Sequence, residues 1–489
     1  MELTKLLNSV KAIQVTGEVQ RKDVSGIYYD SRHVVKNAVF AAIKGYKTDG
    51  HRFILDAINK GAIAIILEDN DCVPDEIFDI YKIAKILVKD SRKALAEISN
   101  AFFKEPTKKL KLVGITGTNG KTTTSYFIKN IFETAGNKVG LVGTIANYIG
   151  QKEIKTSLTT PESSDLNELF HEMVNEGCSY AVMEVSSHSL VLNRVYSLNF
   201  SAGVFSNITS DHLDFHLNFE NYFNAKKILF DSLESSSFAI YNIDDKNGAA
   251  IVNDSPAKLF SYGTSPKADF ILNDINFDLT GTYFSIIFAG EKFEISTSLV
   301  GEFNAYNAAA AFATAVLLGI RKETTIEGIK STKQVPGRFE VVGIGNKKVV
   351  IDYSHTADSL EKALLAIKQI VKGAHPVYTV FGCGGNRDRT KRPVMGKIAS
   401  ELSKRAIITS DNPRFENPFA IIEEIKSGIE KDNYEVIENR EDAIRHAIKN
   451  SEDDAVILIA GKGHENYQEI NGVRNHFSDK EIAEKYLSE

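Results

Sequence analysis

The sequence predicts an α/β protein of three domains, with a central, doubly wound and mostly parallel sheet between an N-terminal and a C-terminal α/β domain. Three observations carry this. Short apolar runs alternate with helical text along nearly the whole chain, the pattern of repeated βα units. The length, 489 residues, calls for about three domains at roughly 100 to 200 residues each. Two segments break the alternation: the proline-containing basic stretch FKEPTKKLK at 103–111, and STKQVPGRFEVV, where Pro336 and Gly337 interrupt the pattern. The expected domains are residues 1–107, 108–334 and 335–489.

In the N-terminal domain, apolar runs at 27–29, 38–43, 62–67 and 86–88 read as strands, and HRFILDAINKGA reads as a helix between them. In the central domain VGIT, VGLVGT, YAVMEV, FSAGVFSNI and SFAIYN read as strands, with helical text after most of them. Residues 258–300 contain short strands and tight turns but no helix, which predicts an antiparallel edge or subsheet. The alanines of the following helix, NAYNAAAAFATAVLLGI, permit close packing. Beyond Pro336 the alternation resumes with KKVVIDY, SLEKALLAIKQIV, VYTVFG, RAIITS, FAIIEEIKSGI and DAVILIAG. No internal repeat or low-complexity segment interrupts it.

Composition narrows the function class. Hydrophobic residues at 43% and charged residues at 25% are ordinary for a globular enzyme. A formal net charge of -6 over this length gives no electrostatic reason to expect nucleic acid or an anionic membrane as partner. Cys72, Cys178 and Cys383 are far apart, odd in number and without a CxxC pair, which fits a reducing compartment. With no export signal and no run approaching roughly 18 apolar residues, a cytoplasmic protein without a membrane span is expected.

Gly117-Thr118-Asn119-Gly120-Lys121-Thr122 follows the strand LVGIT and opens the helix TTSYFIKNIFETAG, the context a nucleotide phosphate loop requires. Glycines let backbone N–H groups converge on phosphate oxygens, the helix N-terminus adds positive potential, Lys121 neutralises charge and Thr122 can reach a magnesium ion. The usual first glycine of the motif is replaced by Ile115, so Gly114 and Gly117 are expected to shape the turn. The alternative is a glycine turn with an incidental lysine. Further on, Glu184 in MEVSSH lies at the end of a strand, where ligands gather in open α/β sheets, and a carboxylate there can hold magnesium. NITSDHLDFH, 207–216, ends another strand in a polar cluster, which by itself reads equally as a cap or a hydrogen-bond network.

The variant phosphate loop, with EVSSH and NITSDHLDFH, resembles the Mur ligases and their relatives, the folylpolyglutamate synthetases. The resemblance extends from Asp30 to Glu465. It implies that Glu184 and His212 help bind magnesium, and that the lysine matching Lys226 is carbamylated by carbon dioxide and becomes an anionic metal ligand beside Thr122. Without the A-K-x-x-L-F register Lys227 would be equally available. The same resemblance gives Gly117, Thr118, Asn119, Gly120, Lys121, Thr122 and Thr123 to the phosphates of ATP and Asn304 in GEFNAYN to the adenine side. Arg338 in VPGR, with Asp352 and His355 in DYSH, then reaches the nucleotide from the third domain; DYSHTADSLE departs from the family's DYAHTPDSLE at Ser354 and Ala357. Lys121, Glu184, His212 and Lys226 form the implied catalytic group.

Asp30-Ser31-Arg32 with Gly45, Thr48, Asp49 and Gly50 resembles the uridine-nucleotide domain of the tripeptide-forming members, with Ser31 and Arg32 facing the diphosphate. Taken alone the triplet reads as a turn. Thr159, Thr160, Ser186 and Arg194 match positions that contact the muramoyl dipeptide. In the C-terminal, Rossmann-like domain, FGCGGNRD, TSDNPR and GKGHE imply an amino-acid site of Arg387, Asp411, Asn412, Pro413, Arg414, Gly461 and Glu465. DNPR accompanies meso-diaminopimelate in this family, whereas lysine-adding members lack its arginine. The chemistry agrees: the distal end of diaminopimelate carries a carboxylate that a guanidinium can hold bidentately, and lysine has only the ammonium.

The expected activity is ATP- and Mg2+-dependent joining of meso-2,6-diaminopimelate to the D-Glu γ-carboxylate of UDP-MurNAc-L-Ala-D-Glu through an acyl phosphate, by a monomer acting on small-molecule substrates. The alternatives are a lysine-adding or folylpolyglutamate-type ligase and, in another class, a P-loop switch or motor whose turnover needs no amino-acid acceptor.

Overall fold

The structure is a computed structural model of the chain and describes residues 1–20, 22–45, 48–156, 158–343 and 347–489. It has the predicted α/β class. Its three large sheets are built from strands lying within 12–88, 111–297 and 340–460.

The N-terminal sheet has the spatial order Ala12–Thr16, Ala84–Val88, Ala64–Leu67, Ala38–Ala41, Gly26–Tyr28. Its inner strands Ala38–Ala41 and Ala64–Leu67 are buried at every residue, as parallel strands covered on both faces must be. Ala12–Thr16, which the apolar pattern does not single out, is an antiparallel edge strand with mostly exposed side chains.

In the central sheet seven strands run parallel, in the order Val139–Val142, Tyr180–Glu184, Lys111–Thr116, Ala202–Phe205, Phe238–Asn242, Lys258–Gly263, Phe270–Asp278. The strand Lys111–Thr116 is central. Successive residues alternate between its two faces: Val113 and Ile115 pack with the helices Lys121–Thr134 and Glu302–Leu317, while Leu112 joins Met183, Phe205 and Phe230 on the other side. Residues 258–300 depart in part from expectation. Lys258–Gly263 continues the parallel order, because the short helix Gly248–Val252 supplies a crossover; the antiparallel meander begins only with Phe270–Asp278 and continues through Gly281–Phe288 and Glu291–Thr297. Fully buried Ala305, Ala308, Ala309, Ala310 and Ala311 let the helix Glu302–Leu317 lie close against the sheet and the helix Lys121–Thr134.

The C-terminal sheet has the order Glu340–Val342, Lys348–Asp352, Val456–Ala460, Val377–Phe381, Arg405–Ile408, Tyr434–Val436, and only Glu340–Val342 is antiparallel. In this sheet and the central one, segments singled out in the sequence follow the carboxyl ends of parallel strands, where open α/β sheets form their binding crevices.

Candidate functional site

The loop Gly117–Gly120 joins the strand Lys111–Thr116 to the helix Lys121–Thr134. Gly117 at φ 152° and Gly120 at φ 88° make the turn. A Cβ on Gly117 would lie 1.9 Å from Ser206 Oγ, and one on Gly120 would lie 2.4 Å from Asn307 Oδ1. Gly114 does not shape the turn as expected. It sits within the strand, where the Phe200 ring crosses so closely that a Cβ would approach it to 2.6 Å. The loop is tied to the next strand end: Thr118 N donates to Asn207 O at 2.8 Å, Asn119 N to Asn207 Oδ1 at 3.0 Å, and Ser206 Oγ to Asn119 O at 2.6 Å. Lys121 Nζ donates to Gly117 O and Thr118 O, each at 2.9 Å, and burial lowers its pKa. Thr122 and Thr123 are buried in the first helical turn.

Glu184, 1% exposed, ends its strand beside this loop. Its carboxylate accepts from Thr122 Oγ1 at 2.9 Å, Thr144 N at 2.9 Å and Thr144 Oγ1 at 3.0 Å. A carboxylate and a hydroxyl oxygen suit a hard cation such as magnesium, which bridges phosphates and keeps several waters rather than demanding a protein cage. No group of three or more His, Cys, Asp or Glu side chains that could hold a metal ion comes together among the described residues.

Lys226 and Lys227 differ sharply. Lys226 is 1% exposed, donates to Gly117 O at 2.8 Å and lies 4.5 Å from the centre of the Tyr222 ring. Burial, and then the charge of Lys121, push its pKa well below the ordinary lysine value. Lys227 faces outward and pairs with Asp231 and Asp254. A buried amine displaced toward its neutral form is a nucleophile, and an ion-paired surface ammonium is not. His212 adopts φ 54° beside the loop, with its ring 4.9 Å from His188 and 6.3 Å from Tyr222.

The third domain meets the loop directly. Arg338 Nη2 donates to Thr122 Oγ1 at 3.1 Å, and Asn119 Nδ2 donates to Asp358 Oδ2 at 2.9 Å. The Arg338 guanidinium stacks 4.7 Å over Tyr353, and its buried Nε has no hydrogen-bond partner among the described residues. Asp352 accepts from Phe339 N at 2.7 Å and from Ser354 Oγ; burial raises its pKa despite these donors. His355 Nδ1 bonds the Tyr353 carbonyl at 2.8 Å, and burial lowers its pKa. Asn304, 2% exposed, donates to Val300 O and accepts from Asn307, so it fixes the start of its helix.

The remaining expected residues fall into two places. Ser31 is buried, while Arg32 has 82% of its side chain exposed and pairs locally with Asp30 at 2.6 Å. Within the central domain, Arg194 pairs with Glu162 at 2.8 Å and donates to Thr160 O at 3.0 Å. Thr160 Oγ1 donates to Glu184 O at 2.8 Å, Thr159 Oγ1 lies 3.1 Å from Thr144 Oγ1, and Ser186 caps the helix Ser187–Val191. A chain of contacts therefore runs from Arg194 to Glu184.

In the C-terminal domain Arg414 Nη1 donates to Gly385 O at 2.9 Å. A Cβ on Gly384 would lie 2.9 Å from Arg414 Nη1 and 3.8 Å from Arg387 Cγ, so both arginines converge on that glycine. Buried Asn412 donates to Glu465 Oε2 at 2.8 Å and accepts from Lys462 Nζ at 3.0 Å. Burial raises the pKa of Glu465 although Lys462 stands nearby. Pro413 is buried between Asn412 and Arg414. Gly461, at φ 114°, comes so close to Asp411 that a Cβ would lie 2.7 Å from Asp411 Oδ2. This groups the cations Arg387, Arg414 and Lys462, the carboxyl groups of Asp411 and Glu465 and the amide of Asn412 at one sheet end, a set able to hold an amino acid with charges at both ends.

Sequence reasoning missed several supports. Tyr222 lies one turn before Lys226 on the same helix face, a spacing that could have revealed it. Asp358 and Lys462 lie within the quoted segments DYSHTADSLE and GKGHE, which could have revealed them, whereas Thr144, Glu162 and Arg392 carry no motif signal and come into place only through the fold.

Comparisons with known proteins agree along the whole length. Residues 23–103 match the Mur ligase family catalytic domain, 115–315 the Mur ligase middle domain, and 337–463 the Mur ligase glutamate ligase domain. A UDP-N-acetylmuramoyl-L-alanyl-D-glutamate--2,6-diaminopimelate ligase of Clostridium acetobutylicum is 45% identical over 492 residues, covering 100% of both chains. One of Bacteroides thetaiotaomicron is 42% identical over 492 residues, again covering 100% of each. A solved structure of a ligase of that name superimposes with a TM-score of 0.72 at 30% identity, covering 99% of this chain and 98% of the other. The fold is also that of a MurF ligase of Thermotoga maritima solved with ADP, at 19% identity and a TM-score of 0.64 over 95% of this chain and 98% of that one. From the phosphate loop to the third domain, the chain belongs to the Mur ligase family.

Proposed function

We propose that this protein joins meso-2,6-diaminopimelate to the γ-carboxylate of D-Glu in UDP-MurNAc-L-Ala-D-Glu, using ATP, in peptidoglycan precursor synthesis. The observation that carries this reading is the meeting of two strand-end sites. The Gly117–Thr122 loop and Glu184 face the third domain, whose Arg338 reaches Thr122 and whose own sheet end gathers Arg387, Arg414 and Glu465. Residues 1–107 would hold the UDP-sugar, 108–334 the ATP and 335–489 the amino acid. We place the reaction in the cytoplasm and assign it to a monomer; the three free cysteines fit a reducing compartment.

The γ-carboxylate oxygen attacks the γ-phosphorus of ATP, the bond to the bridging oxygen breaks, and ADP leaves an acyl phosphate. Free diaminopimelate amine then attacks the acyl carbon, expelling phosphate and losing a proton as the amide forms. The loop N–H groups of 117–123 cradle the phosphates, and Lys121 exchanges its bonds to loop carbonyls for phosphate oxygens. Arg338, with Asp352 and His355 behind it, reaches the phosphates from the third domain, and Asn304 orders the adenine side. Magnesium held through Thr122, Glu184, His212 and a carbamate on Lys226 would spread charge on the transferring group. Carbamate formation joins the neutral Lys226 amine to carbon dioxide with loss of one proton. Ser31 and Arg32 would meet the diphosphate and Thr159, Thr160, Ser186 and Arg194 the muramoyl dipeptide. Arg414 and Arg387 take carboxylates of the amino acid, Glu465 its distal ammonium, and Asp411, Asn412, Pro413 and Gly461 shape the pocket. The test is phosphate release with ATP, magnesium and UDP-MurNAc-L-Ala-D-Glu, with diaminopimelate or L-lysine added in parallel. Release and ligated product with diaminopimelate support the proposal; turnover indifferent to any acceptor refutes it.

A further inference from the structure

Among the described residues the two largest fully buried side chains are arginines of the C-terminal domain, Arg392 and Arg440. Arg440 is matched by Asp479, with two contacts of 2.8 Å. Arg392 does something different, because its fork joins two separate loops. Nη1 donates to Glu416 Oε2 at 2.9 Å and Glu424 Oε2 at 2.8 Å, and Nη2 donates to Glu416 Oε1 at 3.0 Å and Gly384 O at 3.2 Å.

Glu416 follows Arg414 by two residues and also accepts from Asn386 N. Gly384 is the glycine on which Arg387 and Arg414 converge. The two loops are laced further by Gly385 N to Asn412 O at 2.9 Å and Phe415 N to Asn386 Oδ1 at 3.2 Å. Each loop also holds a non-glycine residue in the left-handed region, Asn386 at φ 52° and Arg414 at φ 53°. Such a conformation persists only where its surroundings over-determine it. A buried guanidinium with three anchors supplies that constraint, and a buried charge tolerates no loss of partner.

We infer that Arg392 is a positioning residue for amino-acid selection: through Glu416 and the Gly384 carbonyl it sets the spacing between the loops that carry Arg387 and Arg414. This rests on the proposed amino-acid role of Arg414. The Arg392 side chain is fully buried, so its effect reaches the reaction only through where those two guanidiniums stand. Lysine at this position keeps the charge, but a single ammonium cannot span Glu416, Glu424 and Gly384 O in the planar geometry of the fork.

The experiment compares Arg392→Lys, Glu416→Gln and Arg414→Ala by steady-state phosphate release with each substrate varied, alongside Tm. Misplacement by about 1 Å can cost about 100-fold, so KM for diaminopimelate is expected to rise about 10- to 100-fold in Arg392→Lys and Glu416→Gln. KM for ATP and for UDP-MurNAc-L-Ala-D-Glu should stay within about twofold, and preference over lysine should fall. Glu416 has 21% of its side chain exposed, so Glu416→Gln serves as the folded test if Arg392→Lys does not accumulate. Unchanged KM for diaminopimelate in the folded variants, or all three KM values rising together as Tm falls, overturns the inference. If Arg414→Ala itself leaves diaminopimelate unaffected, it is the amino-acid reading of the pocket that fails.

Discussion

Arg414→Ala separates recognition of the amino acid from every other step. Alanine inherits the left-handed backbone that arginine already adopts at φ 53°, so the substitution adds little backbone strain. What it removes is a guanidinium with one Nη1 bond to Gly385 O at 2.9 Å, whose remaining N–H groups are available to a carboxylate. A hydrogen bond to a charged group is worth roughly 1.5–3 kcal/mol. Arg414 is half-buried, so the lower part of that range applies, about 2 kcal/mol after screening, or about 30-fold in affinity. Phosphate release at saturating ATP and UDP-dipeptide should therefore show KM for diaminopimelate rising about 30-fold, with KM for ATP within about twofold. L-Lysine has no distal carboxylate to lose, so its poor use should hardly change and the preference should shrink by the same factor. A diaminopimelate KM within twofold of the parent, or an equal loss for both amino acids, refutes the argument that Arg414 reads the distal carboxylate.

Incubation with 13C-bicarbonate should give a carbamate carbon resonance that disappears in Lys226→Ala and survives in Lys227→Ala; survival in Lys226→Ala would remove the metal-ligand role. Gly117→Ala should abolish the thermal shift produced by ATP and cost roughly 1–3 kcal/mol of stability, because its Cβ would lie 1.9 Å from Ser206 Oγ; normal nucleotide binding would contradict the loop geometry. His216 is 4% exposed and bonded to Ser187 Oγ at 2.9 Å, and burial lowers its pKa from 6.5 to about 4. Above pH 6.5 it is neutral folded and unfolded. As pH falls from 6.5 toward 4 the unfolded chain takes up the proton first, so stability declines by up to about 3 kcal/mol and levels off once both forms are protonated. Urea unfolding of His216→Gln should lack that part of the decline, and identical pH profiles would rule it out.

Much of the fold was legible because its signals are local. Strand LVGIT running into Gly117-Thr118-Asn119-Gly120-Lys121-Thr122 needs only a few consecutive residues to be recognised, and the apolar inner strands of each sheet read as uninterrupted runs. The exposed edge strand Ala12–Thr16 and the three-residue strands Asn147–Ile149 and Lys152–Ile154 were not legible. They are too short or too exposed to leave a period, and neighbouring strands hold them in place. Gly114 was misjudged for a related reason: a glycine required by the approach of Phe200 has the same letter as one required by a turn.

By itself the sequence determined the class, the phosphate loop, the segments that end strands and the resemblance to Mur ligases, since each is written in contiguous residues. Only the tertiary structure decided which side chains serve one another. It buried Lys226 against Gly117 O while leaving Lys227 in a surface ion pair, gave Glu184 its Thr144 donors, brought Arg338 across a domain junction to Thr122, and set Arg392 behind Gly384 and Glu416. Burial and partner choice depend on residues up to 239 positions apart. Desolvation and hydrogen-bond geometry act on distances in space, which the order of residues does not record.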